Sequence, residues 1–152
     1  MSENNLIAKD KRVRKNTSDS ANLKIDEEIL NNIKRYSDLQ EQEITRRIKE
    51  VDEEWDIERY LEINMSTLAL SGIALSIFGN RKWLALPTVV LGFFAQHALQ
   101  GWCPPVPIFR YFKVRTRNEI NQEKHALKAL RGDYKNLHSA EEAFVAAKKR
   151  GK

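Results

Sequence analysis

A long stretch almost without charge constrains this chain more than any other feature. Between residues 63 and 109 only Arg81 and Lys82 are charged, whereas both flanks are densely charged. The whole-chain averages, a mean hydropathy of −0.58 and 31% charged residues, resemble those of a water-soluble protein and hide this division. An uncharged middle between charged flanks is typical of a membrane protein.

The uncharged stretch divides into two candidate transmembrane helices. We predict spans over residues 60–79 and 83–102, each of about 20 residues and so about 30 Å long, which matches the hydrocarbon core of a bilayer. Gly79 and Asn80 predict the turn between the two spans. A tryptophan stands at each end of the second span, where interfacial aromatic side chains are expected.

A soluble hairpin buried inside an oligomer is the alternative interpretation of this stretch. It draws on the polar residues that make the first span only moderately apolar, namely Ser66, Thr67, Ser71 and Ser76. Two adjacent apolar helices of this length are nevertheless too long for most soluble cores. We therefore predict an all-α membrane protein, a two-helix transmembrane hairpin with cytoplasmic amphipathic helices on both flanks.

Composition divides the chain into four segments. Residues 1–22 are polar and are predicted to form a disordered N-terminal tail that is not a secretory signal peptide. Residues 23–62 form a charged helical segment, and residues 63–109 hold the transmembrane hairpin and a Cys-Pro-Pro turn. Residues 110–152 form a cytoplasmic helical tail. The charged segment also has an apolar face at helical spacing, made of Ile44, Ile48, Val51 and Trp55.

Positive charges near the spans predict the orientation. The loop has two, and each flank has four: Arg46, Arg47, Lys49 and Arg59 before the spans, and Arg110, Lys113, Arg115 and Arg117 after them. Since Lys and Arg concentrate on the cytoplasmic side, we predict a multi-pass protein of the bacterial inner (plasma) membrane with both termini cytoplasmic. Its expected partners are the lipid bilayer and either a second copy or another membrane protein. The net charge of +5 is too small and too local to predict nucleic-acid binding.

The segment Gln96–Pro105, QHALQGWCPP, resembles the signature of the YgaP-like transmembrane-domain family, whose members have no assigned activity. That family is a two-helix membrane hairpin ending in a Gly-x-Cys-Pro motif, alone or attached to a rhodanese sulfurtransferase domain. Three further segments resemble a stand-alone branch: EWDIER (Glu54–Arg59), VRTRNEI (Val114–Ile120) and ALKALRGDY (Ala126–Tyr134). The resemblance covers roughly residues 44–134 and implies the same hairpin. The chain has no room for a rhodanese domain, so sulfur transfer is not inferred from the family.

Small and polar residues inside the spans predict helix contacts. Small residues recur at helical spacing in both spans, at Ala69, Gly72 and Ser76 and at Thr88, Gly92 and Ala95. They either let the helices approach closely or merely reflect the usual composition of transmembrane helices. Three residues are candidate intramembrane polar contacts: Gln96, His97 and Gln100. Because a polar group facing lipid is costly, they are expected to face the partner helix, another subunit or the interface.

A cluster of charges next to the predicted membrane surface forms a candidate ion-pair patch. It comprises Glu54, Asp56, Glu58, Arg59, Arg115 and Arg117. One interpretation pairs the acidic residues of the first flank with the arginines of the second. The other is an ordinary solvated face of a helix.

Cys103, the single cysteine, is the candidate reactive thiol. A role in sulfur or redox transfer needs a stabilised thiolate, which nearby Arg110 would favour and the negative end of the preceding helix would disfavour. The alternative is a small buried residue at a helix end, which we favour.

No catalytic residues, metal ligands or cofactor are predicted. His97 could serve as a ligand of a metal or haem, but lone histidines at membrane depth more often satisfy a hydrogen bond. No nucleophile, base and orienting group can be assembled from the sequence, so the chain is not predicted to be an enzyme. The expected function is that of a membrane anchor or interaction (scaffold) protein. The alternatives are a thiol-based sulfur or redox carrier using Cys103, or a subunit of a transport assembly.

Overall fold

The computed structural model describes residues 9–135 and 137–148, in which all regular structure is helical. A 3₁₀ turn, Arg81–Leu84, precedes the fifth α-helix. The α-helices are α1 (Lys9–Lys15), α2 (Asp19–Ser37), α3 (Glu41–Glu53), α4 (Ile57–Phe78), α5 (Ala85–Gln100), α6 (Val106–Tyr111), α7 (Arg117–Arg131) and α8 (Ala140–Lys148).

These helices belong to two compact units. The first, which we call the hairpin unit, combines the described part of Met1–Asn22 with Trp55–Thr116. The second, the flank unit, combines Leu23–Glu54 with the described part of Arg117–Lys152. Residues from both sides of the uncharged stretch therefore contribute to each unit, whereas composition divides the chain into four consecutive segments.

In the hairpin unit α4 and α5 pack against each other as neighbouring helices. The turn predicted at Gly79 and Asn80 is present, and the Asn80 side chain accepts a hydrogen bond of 2.9 Å from the Lys82 N–H. The helices approach closely at Gly72, where an added Cβ would lie 2.5 Å from Cδ of Pro87. A glycine is needed here because any side chain would collide with the facing proline.

Only one face of α4 is buried. The buried residues recur every three or four positions, as one stripe of a helix does: Ile57, Leu61, Met65, Ala69 and Gly72. Within Glu41–Phe78 an 18-residue window has a mean hydropathy of 1.5 and only 22% of it is buried. Among the described residues this stretch alone is long and apolar enough to cross a membrane, by length and composition.

The second predicted span is shorter as a helix than as a sequence segment. α5 has 16 residues, and the 3₁₀ turn Arg81–Leu84 supplies the preceding residues of the predicted span. α5 ends at Gln100, and Gly101 after it adopts a left-handed conformation with a φ of 77°, as a glycine at the end of a helix commonly does. The Gly101 N–H bonds to the His97 carbonyl at 2.7 Å.

The structure differs from the predicted disordered tail from residue 9 onward, while residues 1–8 lie outside the described residues. α1 is helical and Val13 is fully buried in the core of the hairpin unit. The Thr17 hydroxyl donates to the Val13 carbonyl at 2.7 Å and ends this helix. A polar composition predicted disorder because it could not reveal that a single valine packs against the hairpin.

The structure has a break between α3 and α4, although neither proline nor glycine interrupts the sequence there. The chain leaves the helical conformation between Glu53 and Ile57, and the Asp56 carboxylate caps α4 by accepting a 2.9 Å bond from the Arg59 N–H. The Ile57 N–H donates to the Arg115 carbonyl at 2.9 Å. Capping and this long-range bond replace the hydrogen bonds that a continuous helix would have made.

The flank unit has a conventional amphipathic core. Side chains of α3 and α7 pack together with Tyr36, and the buried ones are Ile44, Ile48, Val51, Ile120 and Leu127. The predicted apolar stripe of α3 is thus confirmed in this unit for its first three members. α7 ends at Arg131, and Gly132 follows it with a φ of 88°, a backbone conformation that glycine adopts without strain.

Polar contacts inside the flank unit join its helices. Nε of Arg47 on α3 donates to the fully buried carboxylate of Glu123 on α7 at 2.9 Å. Nζ of Lys128, also fully buried, donates to the Ala146 and Ala147 carbonyls at 3.3 and 2.8 Å and so caps the C-terminus of α8. Burial lowers the pKa of Lys128 below its ordinary value.

Candidate functional site

The polar side chains of the hairpin unit converge where α4 begins and α5 ends. His97, in the last turn of α5, is only 3% exposed. Its Nε2 donates to Oε2 of Glu58 in the first turn of α4 at 3.0 Å. The pair holds the two helices together at this end, as Gly72 and Pro87 do further along.

Cys103 lies beside this pair. It is fully buried with a free thiol and belongs to the apolar core that contains Val13 and Val106. The thiol is close enough to the His97 ring to interact with it. Within the described part of the chain, Nδ1 of His97 is buried and makes no hydrogen bond of normal geometry. The structure thus brings together a thiol, an imidazole and a carboxylate.

The helix α1 covers this end of the hairpin. Arg12 Nη1 donates to the Leu99 carbonyl at 3.3 Å, and Asn16 Nδ2 donates to the Gln100 carbonyl at 2.9 Å. These bonds satisfy carbonyls that the end of an α-helix leaves without intrahelical partners. An added Cβ on Gly101 would lie 2.5 Å from Cβ of Arg12, so the backbone of the turn is in direct contact with α1.

Arg110 connects residues at the same end of the hairpin unit through hydrogen bonds. It is 1% exposed, and its guanidinium donates to the Val114 carbonyl at 3.1 Å and to Oδ1 of Asn22 at 2.8 Å. The sequence suggested Arg110 only as a charge near Cys103. No sequence signal indicated that Asn22, within the predicted tail, would receive it.

An aromatic cluster lies on the outer side of this end. The ring of Tyr60 is 5.4 Å from that of Trp55 and 5.7 Å from that of Phe109, measured between centroids. The Arg59 guanidinium carbon lies 4.2 Å from the centroid of the Trp55 ring. Aromatic rings next to a cation are typical of a membrane–water interface.

The residues of the predicted ion-pair patch have separate tasks in the structure. Asp56 caps α4, Glu58 pairs with His97, and Arg59 lies over an aromatic ring. Arg115 is 6% exposed and its carbonyl accepts from Ile57, whereas Glu54 and Arg117 belong to the flank unit. Pairing of acidic side chains with Arg115 and Arg117 stays a prediction.

The three candidate intramembrane polar contacts differ in how deeply they are buried. His97 faces α4, as predicted, whereas the Gln96 side chain is half-buried and Gln100 is exposed. The small residues divide in a similar way. Ala69 and Gly72 of α4 are buried, but Thr88, Gly92 and Ala95 of α5 are exposed, so the α5 stripe does not form the contact between the two helices.

Among the described residues no group of three or more His, Cys, Asp and Glu side chains is arranged to hold a metal ion. Comparison with protein-family models, with curated proteins and with solved structures gives no match to this chain. The resemblance of Gln96–Pro105 to the YgaP-like family therefore stays a prediction, and the chemistry of this end must be argued from its own residues.

Proposed function

We propose that this chain is a small multi-pass protein of the inner membrane, in which α4 and α5 cross the bilayer as a hairpin and anchor the flank helices on the cytoplasmic side. Its function is that of an anchor or interaction protein for the flank unit. The observation that supports this proposal most directly is the exposure of apolar side chains on α4. Only one stripe of this helix is buried inside the chain.

Many apolar side chains of the hairpin are exposed at its surface, and contact of these side chains with water is unfavourable. Each of those on α4, the turn and α5 that follow is at least 40% exposed: Ile63, Leu68, Leu70, Ile73, Leu75, Ile77, Phe78, Trp83, Leu84, Val89, Leu91 and Leu99. Apolar exposure on this scale is expected at a membrane or protein contact. A 22-residue helix such as α4 is about 33 Å long, close to the thickness of the hydrocarbon core.

The two ends of the hairpin fit the two faces of a bilayer. Trp83 stands beside Arg81 and Lys82 at the turn, and the Trp55–Tyr60 pair stands at the opposite end. Interfacial aromatics and basic residues at both ends support a spanning orientation. The greater number of basic residues in the flanks supports the cytoplasmic placement of both termini.

Membrane fractionation tests this proposal. The full chain is expected to remain with membranes after washing with carbonate and with high salt, because apolar burial in lipid is insensitive to both. Recovery as a soluble monomer or oligomer without detergent would contradict the proposal and would favour the soluble hairpin buried in an oligomer.

A further inference from the structure

We propose that Cys103, His97 and Glu58 form a thiol site that exchanges with a low-molecular-weight disulfide, and that α1 is the cover that must move to admit it. The site goes beyond the proposed anchoring function. It rests on contacts within the hairpin unit, so it stands or falls independently of how that unit is oriented in a membrane.

The first step of the argument is the state of the imidazole. The contact of Nε2 with the Glu58 carboxylate needs a proton on Nε2, so Nδ1 is the ring nitrogen that can exchange a proton with the thiol. Nδ1 is buried, and in the described residues no hydrogen bond of normal geometry occupies it. A buried basic nitrogen beside a thiol can accept the thiol proton, while the carboxylate stabilises the resulting imidazolium.

The second step is the surroundings of the three groups. His97 and Cys103 are 3% and 0% exposed, so water screens the attraction between the imidazolium and the thiolate only weakly. The carboxylate of Glu58 is partly exposed, with 24% of its side chain accessible, and so keeps access to solvent. Cys103 thus has the place of a nucleophile, His97 that of a base and Glu58 that of the carboxylate that orients the base. This combination could not be identified from the sequence.

The third step is the chemical reaction, thiol–disulfide exchange, which Cys103 and His97 can carry out. Nδ1 of His97 takes the proton of the thiol, and the Cys103 thiolate attacks one sulfur of the disulfide. A new S–S bond forms to Cys103 as the old S–S bond breaks, and the departing thiolate takes the proton from His97. The products are a mixed disulfide on Cys103 and one small thiol, so the protein thiol is oxidised and the small disulfide is reduced.

Disulfide exchange fits this site better than acyl transfer. Exchange needs a thiolate, access to sulfur and a proton for the leaving thiolate, all of which Cys103 and His97 supply once the site is open. Acyl transfer would also need hydrogen-bond donors aimed at a developing oxyanion. The apolar neighbours Val13 and Val106 belong to the same core as Cys103, so the thiol lies in an apolar surrounding.

The fourth step is access, which α1 controls. With α1 in place Cys103 is fully buried, and Val13 of α1 is part of the same apolar core. α1 has only seven residues, and an isolated helix of that length has little stability of its own. Its attachment through Arg12 and Asn16 to the end of α5 is therefore a contact that can open without unfolding the hairpin.

The experiment measures how fast the full chain, in detergent micelles or lipid nanodiscs, releases thiopyridone from dithiodipyridine. Cys103 is the single cysteine, so every modified thiol is this one. The paired substitution Arg12→Ala and Asn16→Ala should accelerate the reaction by loosening α1. Lys15→Ala is the matched control, because Lys15 is an exposed cation on the same helix, and it should leave the rate unchanged.

The imidazole and carboxylate are then tested with α1 loosened. His97→Gln should slow the reaction about 100-fold, the lower range for loss of a positioned base. Glu58→Gln should slow it less, and Glu58→Asp should restore part of the rate because the charge is kept. All chains should react equally fast after denaturation in SDS, and circular dichroism should report unchanged helix content, which separates lost activation from lost folding.

Two results would overturn the proposal. One is a Cys103 thiol that stays unreactive when α1 is loosened, although it reacts normally in SDS. The other concerns the chains in which α1 is loosened. It is a Glu58→Gln variant that keeps native helix content and reacts as fast as both the chain with Glu58 intact and the Glu58→Asp variant. Neither result bears on membrane fractionation, so failure of this site and failure of the anchoring proposal are distinguishable.

Discussion

The same amphipathic design serves two surroundings in this molecule. In the flank unit α3 and α7 bury their apolar stripes against each other, and exposed apolar residues such as Leu23 and Leu130 stand next to charged ones in the sequence. In the hairpin unit α4 buries one stripe and exposes apolar side chains around the rest of the helix. The first pattern is that of a protein in water, and the second is the pattern expected of a helix in an apolar surrounding.

A charge placed on each surface would test this comparison with the largest effect. Leu70 on α4 and Leu23 on α2 are similarly exposed, at 66% and 59%. Leu70→Arg should weaken membrane insertion by about 3 kcal/mol, since it places a guanidinium near the middle of a span. Leu23→Arg should change stability by no more than about 0.5 kcal/mol, as ordinary surface substitutions do.

The measurement is the carbonate-resistant fraction of each variant. Equal behaviour of Leu70→Arg and Leu23→Arg would mean that the two surfaces meet the same solvent. The comparison between the units would then be broken, and the soluble alternative would gain support.

Two glycines sharpen the comparison between the inner and outer faces of the hairpin. Gly72→Leu should destabilise the hairpin by roughly 1–3 kcal/mol, because the new side chain would collide with Pro87. Gly92→Leu should have little effect in lipid, since nothing lies within 4 Å of a Cβ added there. Thermal unfolding in detergent, followed by circular dichroism, measures both. A similar loss in the two variants would show that the face bearing Gly92 is covered by a partner.

The smallest effect concerns pH and belongs to the flank unit. Burial, and then the positive charges of Lys128 and Lys124, lower the pKa of His125 below its ordinary value of 6.5. The unfolded chain therefore binds a proton at a higher pH than the folded one, so stability is retained above about pH 6.5 and falls as the pH drops through the lowered pKa. Hydrogen exchange of the α7 amides between neutral and mildly acidic pH should detect the loss.

Variants assign this pH effect to its cause. Nδ1 of His125 and the Tyr134 hydroxyl are 2.6 Å apart and form a hydrogen bond. His125→Gln should remove the acid-induced loss of protection in α7. Tyr134→Phe should leave most of it, because burial and the charges of Lys128 and Lys124 are what lower this pKa. An unchanged pH dependence in His125→Gln would show that another group is responsible.

Local signals predicted much of the fold. The turn at Gly79 and Asn80, the stop at Gly101 and the end of α7 before Gly132 follow from glycine and proline chemistry that acts within a few residues. Ser139, three residues before Glu142, is a local capping signal, and the Glu142 N–H donates to the Ser139 hydroxyl at 3.1 Å. These features need no knowledge of the rest of the chain.

The candidate site was beyond the reach of the sequence because its contacts are long-range. Cys103 and His97 were both singled out, but Glu58 was assigned to a charged patch, and its pairing with His97 depends on how α4 and α5 are aligned. α1 was missed for a similar reason, since its packing rests on Val13 and on two bonds to carbonyls almost 90 residues away in sequence. The amino-acid composition contains no information about these long-range contacts.

The position of the loop relative to the flanks tests the central claim most directly. In a Cys103→Ser background, single cysteines are placed in the turn (Asn80→Cys) and in each flank (Ser37→Cys and Ser139→Cys), then treated in intact cells with a membrane-impermeant maleimide. The account predicts that Asn80→Cys is labelled at once, whereas Ser37→Cys and Ser139→Cys are labelled only after the membrane is permeabilised. Labelling of the turn and the flanks from the same side of the membrane would contradict a hairpin that spans the bilayer.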